Sequence, residues 1–353
     1  MELKKRSVYP LGMFDLFKGF CMFAIVITHA IYGNEISPWI QYLFEIGGAC
    51  FMGGFYAVNG FQFRLSVNVK QAVKKAAKTY LPTYFDIAFI SLGLILFTNY
   101  STIWNWTAAF LLGWLTPTHV ESFTILYVAL GWFLLALFWA NILMNLILRI
   151  KNKFIRLICV VAIAVVGIYM ETHNIYYYCI CRGFRALPSM YVGYCMYSED
   201  WLSTKKIVSN KILPYLLMIA IIPFCICFVV GPEWSIYLAL ICEPICGCAV
   251  IIFSRDTVDL SNAFLELIRK VGRYTPWIVV VHSVDIICFP WSEVSAFLQF
   301  ITNNDLRFAV LVILRGILIF LGCLLYEKYD KLEKQWKRKR RAQRRVRRKV
   351  DVK

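Results

Sequence analysis

Residues 125–148 read ILYVALGWFLLALFWANILMNLIL and contain no charged side chain. A helix of about 20 apolar residues crosses the hydrocarbon core of a bilayer, so this stretch alone predicts a transmembrane helix. A basic loop with Arg149, Lys151, Lys153 and Arg156 follows directly. Because basic loops are retained on the cytoplasmic side of a membrane, this loop also predicts the orientation of the helix before it.

The composition of the whole chain agrees with a membrane location. Hydrophobic residues make up 60% of the 353 residues, and charged residues make up only 17%. An ordinary soluble domain is about half apolar and about a quarter charged. The composition therefore excludes a disordered chain, a fibrous repeat and most classes of soluble enzyme. It predicts an all-α polytopic membrane protein.

Apolar segments and basic loops together predict about ten transmembrane helices, with both termini in the cytoplasm. The predicted spans cover approximately residues 13–32, 38–61, 79–97, 125–148, 157–170, 184–198, 212–230, 235–254, 275–291 and 307–326. The segment 103–118 is apolar but short and contains three tryptophans. We expect it to lie in the interface or to re-enter, because a full crossing would put the basic loop after residue 148 outside.

The strongest charge lies at the C-terminal end. Residues 327–353 hold fourteen Lys or Arg and four Asp or Glu, so this tail contributes +10 to the formal net charge of +17. A basic run can bind nucleic acid, but directly after an apolar span it more often holds a terminus in the cytoplasm against anionic lipids. We therefore predict a transmembrane domain at 1–326, a basic cytoplasmic tail at 327–353, and no nucleic-acid partner.

The cysteines do not predict a metal site. Most of the 13 cysteines lie in apolar runs, where a free thiol behaves as a small hydrophobic group. Pairs at 179/181, 225/227 and 246/248 have C-x-C spacing, and no histidine cluster completes a zinc site. The beginning of the chain does not predict a cleavable signal peptide either, since Asp15 and Lys18 interrupt its apolar region.

The first predicted span carries three ionisable residues, Asp15, Lys18 and His29. Helical periodicity places their side chains on one stripe, which predicts that they face the bundle rather than lipid. Helix rise puts His29 about 16 Å from Lys18. Ionisable groups inside a membrane are costly and often functional. The alternative is structural: Asp15 and Lys18 reach the interface, and His29 only bonds a neighbouring helix.

The segment FDLFKGFCMFAIVITHA at residues 14–30 resembles the opening of the acyltransferase-3 family of integral membrane acyltransferases, which includes polysaccharide O-acetyltransferases. Asp15, Lys18, Gly19 and His29 match the family pattern D-x-x-(R/K)-G, an aliphatic run and a histidine. Five later segments are similar to further family motifs in the same order. They read FMGGFYAVNGF, KTYLPTYF, GWFLLAL, RALPSMYVGY and VGRYTPWIVVVHS.

These later segments contain both matches and departures. The matching residues include Gly60, Lys78, Gly193, Gly272 and His282. Asn59 stands where the family usually has a serine, and Gly53 stands where a proline is usual. The resemblance extends from about residue 13 to about residue 290 and therefore covers most of the chain.

The resemblance implies transfer of an acyl group, usually acetyl, from cytoplasmic acyl-CoA to a hydroxyl. The usual acceptor is a carbohydrate or glycolipid at or beyond the outer face of the bacterial cytoplasmic membrane. A base must take the hydroxyl proton, and His29 is the first candidate because imidazole titrates near neutrality. His282, at a similar depth in a later span, is the second histidine of the predicted catalytic site, and Asp285 lies three residues later on nearly the same face. The alternative for His282 is structural bonding between helices.

The donor would need cations for its phosphates, which Lys and Arg bind well. We predict that Asp15 and Lys18 belong to a donor-binding site at the inner face, where the resemblance also places the donor. The other predicted members are lysines of the loop after the second span and the helix that follows it: Lys74, Lys75 and Lys78. The distance from Lys18 to His29 suits an extended pantetheine arm.

Other ionisable residues at membrane depth each have two interpretations. Glu45, in the second span, could orient the imidazole as a third catalytic residue, or it could be an interfacial acid. Glu243 could play the same part or could form a polar pair at a helix kink. Arg182 and Arg185 could meet the acceptor, although we expect them to extend toward the outer interface.

A rival function is that of a transporter or flippase for a glycan or a lipid-linked intermediate. Such a protein would also have about ten spans and buried charges. It would show internal repeats, which this sequence lacks, and it would not depend on acyl-CoA.

Overall fold

The computed structural model describes residues 12–31, 36–98, 131–173, 175, 177–202, 235–260 and 262–350. Within these residues the fold is entirely helical and contains no strand, as predicted. The segment 103–118 and the predicted span at 212–230 lie outside the described residues.

The described helices follow one another along the chain. They are α1 (Asp15–Ile31), α2 (Pro38–Phe61), α3 (Val69–Thr98), α4 (Gly131–Ile147), α5 (Lys153–Thr172), α6 (Ile180–Arg185), α7 (Leu187–Ser198), α8 (Ser235–Thr257), α9 (Ala263–Arg273), α10 (Thr275–Cys288), α11 (Trp291–Phe297) and α12 (Asn304–Val350). Short 3₁₀ turns at Tyr177–Cys179 and Leu298–Phe300 precede α6 and follow α11.

Three helices in the described ranges are long and apolar enough to cross a bilayer. They are Val69–Leu96 in α3, Lys153–Thr172 in α5 and Asn304–Glu333 in α12. A fourth crossing results if Thr275–Cys288 and Trp291–Phe300, which meet at a bend of 69°, form one broken span. The chain is thus a helical membrane protein, whereas the ten-span count and the location of both termini stay predictions.

Local sequence explains several helix boundaries. The side chain of Asn152 caps α5 by accepting a hydrogen bond from the backbone N–H of Phe154 at 2.8 Å. Asn262 caps α9 in the same way, at 2.8 Å from the N–H of Leu265. The helix α10 ends at Cys288, and Phe289 after it is extended. Pro290 explains this end, because a proline disfavours helical backbone in the residue before it. The chain bends there and begins α11.

Ionic and aromatic contacts connect the helix ends at one side of the bundle. Lys153 Nζ lies 2.7 Å from Glu199 Oε1 and joins the start of α5 to the end of α7. The guanidinium of Arg64, just after α2, lies 4.1 Å from the ring centroid of Tyr197. A buried hydrophobic cluster from α1, α2, α7 and α8 packs beside these contacts. We call this side, where α1 begins and α2, α7 and α8 finish, the basic end.

Two glycines allow α1 and α9 to cross closely at the basic end. A Cβ atom on Gly19 would overlap the backbone oxygen of Ile268, and one on Gly272 would overlap the backbone oxygen of Asp15. Small residues at such crossings let helix backbones approach each other. Both glycines belong to the segments that resemble family motifs. Because a Cβ atom has no space at either position, their role here is in helix packing.

A second close crossing joins α2 and α7. A Cβ atom on Gly60 would overlap the backbone oxygen of Met190, and one on Gly193 would overlap the backbone oxygen of Ala57. These two glycines also belong to the family-like segments. The crossing holds the end of α2 in the bundle, next to the beginning of α3.

The central core lies between α1, α3, α4, α10 and α12. Its buried members include Met22, Tyr84, Leu134, Val279 and Ile319, one from each of these helices. Because five helices contribute to one apolar cluster, the position of α1 relative to α10 is fixed by packing on several sides.

Candidate active site

One face of α1 points into the bundle and carries the ionisable residues of the first span. Met22 and Ile25 lie between Lys18 and His29 on this face, and both pack into the central core. Lys18 is therefore near the basic end, and His29 lies about 16 Å further along the helix by its rise.

The two histidines predicted for the catalytic site come together. The ring centroids of His29 in α1 and His282 in α10 are 5.2 Å apart, with an interplanar angle of 84°. The side chain of His282 is fully buried, at 0% exposure, and His29 is partly buried. An edge-to-face contact between two imidazoles in the interior of a bundle is the central feature of the site, and we call it the histidine pair.

Hydrogen bonds at Nδ1 fix the protonation pattern of both rings. His29 Nδ1 lies 2.8 Å from the backbone oxygen of Ile25. Since a carbonyl oxygen can only accept, this nitrogen carries the proton and donates it. His282 Nδ1 lies 3.0 Å from Asp285 Oδ2, where a carboxylate is likewise the acceptor. In neutral imidazoles this arrangement leaves the lone pair on Nε2 of each ring.

Asp285 connects three side chains around His282. Its Oδ2 accepts from His282 Nδ1 at 3.0 Å and from Arg315 Nε at 2.8 Å. Its Oδ1 accepts from the indole N–H of Trp291 at 2.8 Å. Asp285 is 4% exposed and Arg315 is 5% exposed, so the ion pair is screened from water. We call His282, Asp285, Trp291 and Arg315 the Asp285 cluster.

The cluster depends on the bend after α10 and on one arginine in α12. Asp285 lies three residues after His282, on nearly the same face of α10. The bend at Pro290 returns the Trp291 ring to this face. The guanidinium of Arg315 lies 4.7 Å from the Trp291 ring centroid and is thus held by a cation–π contact as well as by its ion pair.

Sequence reasoning found part of this site and missed part. It identified His29 and His282 and noted Asp285 near His282, but it gave no role to Trp291 or Arg315. Arg315 did carry a signal, because it is a charge inside the apolar run LVILRGILIF of a predicted span. Trp291 had no comparable signal, since its contact arises from the bend.

Asp15 and Lys18 form an ion pair at the basic end of the same face of α1. Lys18 Nζ lies 3.1 Å from Asp15 Oδ1, with 27% of the Lys18 side chain exposed. Arg273, at the end of α9, lies 3.6 Å from Asp15 Oδ2. Two cations therefore gather around one carboxylate at the point where the polar face of α1 begins.

The three predicted lysines of α3 are all exposed, and they do not form one cluster. Lys75 lines a cavity of about 200 Å³ with Arg64, and its Nζ donates to the Arg64 backbone oxygen at 3.4 Å. Lys74 and Lys78 are not among the residues described as lining this cavity, and neither is Lys18. The structure thus places Lys75 at an opening into the bundle and the other two lysines beside it on the helix surface.

The deep side of this cavity is polar. Asn59 Nδ2 donates to the Tyr80 hydroxyl at 2.7 Å, and Asn141 Nδ2 lies 3.0 Å from both Asn59 Oδ1 and that hydroxyl. Asn145 also lines the cavity and is 1% exposed. Asn59, which departs from the family pattern, is therefore part of an amide-lined floor between α2, α3 and α4.

A second buried cluster of charges links α5, α6 and α8. Arg185 lies 2.6 Å from Glu171 and 3.6 Å from Glu243, and Arg182 lies 3.3 Å from Glu171. Arg182 also stacks on Trp132 at 4.1 Å. The expectation that both arginines extend to the interface was wrong, because Glu171 supplies a buried partner that the sequence did not reveal. Glu243 belongs to this ion-pair cluster.

Glu45 falls within α2, but its side chain lies outside what the structure describes, so its catalytic role stays a prediction. Within the described ranges, no group of three or more His, Cys, Asp or Glu side chains could hold a metal ion.

Comparison with known proteins identifies the family of the chain. A family model described as an acyltransferase domain matches residues 12–339, which is nearly the whole chain. No curated protein and no solved structure matches. The match includes both histidines of the pair, the Asp285 cluster and the residues at the basic end. The chain therefore belongs to the acyltransferase-3 family of integral membrane acyltransferases.

Proposed function

We propose that the protein is an O-acyltransferase that moves an acyl group, acetyl in the first instance, from acyl-CoA to a hydroxyl of a cell-surface or lipid-linked carbohydrate. The observation that carries this proposal is the histidine pair in the interior of a bundle from an acyltransferase family. Two imidazoles with lone pairs on Nε2 supply the proton acceptor that acylation of a hydroxyl requires.

The donor would enter at the basic end, which we expect to face the cytoplasm of the cell. Lys18, Arg273 and Lys75 offer cations there for the phosphates of CoA, and Lys74 and Lys78 add positive charge on the surface of α3. The polar face of α1 runs from this end to His29. An extended acyl-pantetheine arm laid along it would bring the thioester to the histidine pair.

The acceptor hydroxyl would bind against the pair from the other side of the membrane. His29, the first candidate base from the sequence, takes the hydroxyl proton as the oxygen attacks the acyl carbon. The C–S bond of the thioester breaks, and the proton returns to the departing thiolate. The products of this direct transfer are an ester and free CoA.

The experiment that tests this function measures the release of free CoA from acetyl-CoA by the purified protein, with and without candidate glycans. An acyltransferase releases CoA and requires an acceptor for sustained turnover. A glycan transporter or flippase, the rival function, would move its substrate across proteoliposome membranes in the absence of acyl-CoA. Glycan movement without any binding or consumption of acyl-CoA would overturn the proposal.

A further inference from the structure

Every polar atom of the Asp285 carboxylate is used within the Asp285 cluster, but one atom of His282 is not. His282 Nε2 is buried and forms no hydrogen bond of ordinary geometry with any of the described residues, although the Ile25 backbone oxygen that accepts from His29 Nδ1 also faces this ring. A buried polar atom without a partner is costly unless a ligand or a reaction uses it. The same ring lies 5.2 Å from His29, so this atom belongs to the reaction centre of the proposed function.

The charges behind His282 are balanced. Asp285 carries a negative charge 3.0 Å from His282 Nδ1, and Arg315 carries a positive charge 2.8 Å from the same carboxylate oxygen. A lone carboxylate beside an imidazole would favour its protonated form. A carboxylate already compensated by a guanidinium favours it much less. It still accepts the Nδ1–H hydrogen bond and therefore still fixes the tautomer.

We propose that Asp285 and Arg315 are positioning residues that hold His282 in the neutral Nδ1–H form, so that the histidine pair can accept one proton. This inference rests on the proposed function. If His282 were already protonated, a second imidazolium on His29 would be opposed by repulsion between like charges at close range. A neutral His282 with a free lone pair instead stabilises the imidazolium that forms when the hydroxyl proton arrives.

The proton balance of the reaction is then complete. The hydroxyl oxygen forms the new C–O bond with the acyl carbon, and its proton passes to Nε2 of the pair. The C–S bond breaks, and the thiolate takes that proton from the pair. The charged groups that face the two imidazoles from the described elements are Asp285 on α10 and Arg315 on α12. With His29 and His282 both neutral, the net charge of the unit is zero before the proton arrives.

A first test reads the protonation of His282 directly and does not require turnover. The chain has only 4 histidines, so ¹⁵N-histidine labelling of the detergent-solubilised protein gives few NMR signals, which His→Gln variants assign. We expect a neutral His282 with the proton on Nδ1 at pH 7. A doubly protonated ring, or a proton on Nε2, would overturn the inference even if the protein proves to be an acyltransferase.

A second test separates charge compensation from a merely structural role. In Arg315→Gln, Asp285 loses its positively charged partner, and its uncompensated carboxylate then favours the protonated form of His282. We therefore expect kcat at pH 7 to fall by about 10²-fold. Activity should recover as the pH is raised and this proton is lost. Arg315→Lys keeps the charge and should keep the pH profile of the wild type. Equal losses in both variants, without a change in pH profile, would show that Arg315 acts only through packing.

A third test controls for the removal of an acid that bonds to α12, with a partly buried aspartate as the control. Asp86 on α3 accepts a hydrogen bond from Tyr326 on α12 at 2.8 Å, so it also joins another helix to α12. Asp86→Asn should leave the pH profile unchanged. Asp285→Asn combined with Arg315→Gln should lose kcat without recovery at high pH, because nothing then fixes the His282 tautomer. Recovery in this double variant, or wild-type kcat, would contradict the inference.

Discussion

At the scale of single residues, position relative to the bilayer decides what a charge does. Lys18 and His29 lie on the same face of α1, but about 16 Å apart by helix rise. Lys18 is partly exposed at the basic end, where we propose that the anionic donor binds, and His29 contacts a second imidazole in the interior. In the proposed function, the same face of one helix therefore carries both a donor-binding residue and a catalytic residue.

This division predicts a specific effect on donor affinity. In Lys18→Ala, we expect KM for acetyl-CoA to rise about 10-fold or more, because a charge-assisted contact to phosphate contributes about 1.5–3 kcal/mol. The value of kcat should change little. Steady-state kinetics on the purified protein measure both parameters, with Lys153→Ala as the control, since Lys153 is an exposed lysine paired with Glu199. A lower kcat with an unchanged KM would assign Lys18 to the chemistry instead.

Removing one member of a buried ion pair should lower the stability of the fold rather than the affinity for the donor. In Arg185→Ala, Glu171 and Glu243 lose their shared partner in the interior, and breaking a buried pair typically costs about 3–5 kcal/mol. We expect a clear decrease in the midpoint of thermal unfolding in detergent. Lys153→Ala breaks an exposed pair and should have little effect. Equal midpoints for both variants would mean that the interior pair is not needed for folding.

The sequence alone predicted those site residues that can be recognised from their neighbours in the chain. An ionisable residue within an apolar run can be recognised without a structure, as His29 and His282 were, and Arg315 had the same signal. The partners of Arg182 and Arg185 could not be predicted, because Glu171 and Glu243 approach them from other helices. Trp291 reaches Asp285 only because of the bend between α10 and α11.

At the scale of helices, glycine positions determine how closely the elements approach. The crossings of α1 with α9 and of α2 with α7 leave no space for a Cβ atom at Gly19, Gly60, Gly193 or Gly272. The sequence singled these glycines out through family-like segments, but it did not show which helix each one faces. The first crossing sets α9, and therefore the start of α10, beside the beginning of α1.

The glycine crossings predict opposite effects for two Gly→Ala variants. Gly60→Ala forces α2 and α7 apart and should destabilise the fold by about 1–3 kcal/mol, the usual cost of overpacking. Gly93→Ala lies in α3 with no atom within 4 Å of its added Cβ, and alanine is the better helix former. Thermal unfolding in one detergent compares them. A Gly60→Ala protein as stable as the Gly93→Ala protein would contradict the close packing of α2 and α7.

At the scale of the whole molecule, charge distribution predicts one orientation in the membrane. The basic end gathers Lys153, Arg64 and the ion pairs of α9, and α12 runs on from its apolar part into the basic stretch that reaches Val350. The all-α class and the membrane location followed from the composition together with uncharged stretches long enough to cross a bilayer. The number of spans did not, because the short segment 103–118 can be interfacial or fully crossing.

The orientation can be measured with reporters at defined positions. A fluorescent protein fused after residue 353 should be bright, and alkaline phosphatase at the same position should be inactive, because we expect this terminus in the cytoplasm. A second pair of fusions in the loop at residues 149–152 should behave in the same way. Active phosphatase in that loop would show that segment 103–118 crosses the membrane and that the count of ten spans is wrong.

The central claim is acyl transfer at the histidine pair, and the most direct measurement detects the acylated product. Purified wild-type protein, His29→Gln, His282→Gln and His173→Gln would be incubated with labelled acetyl-CoA and candidate glycans, and O-acetyl ester would be quantified by mass spectrometry. We predict ester from the wild type and from His173→Gln, whose exposed ring lies after α5. Both variants of the pair should lose at least about 10²-fold in rate. Ester formation at the wild-type rate by His29→Gln and His282→Gln would contradict the account.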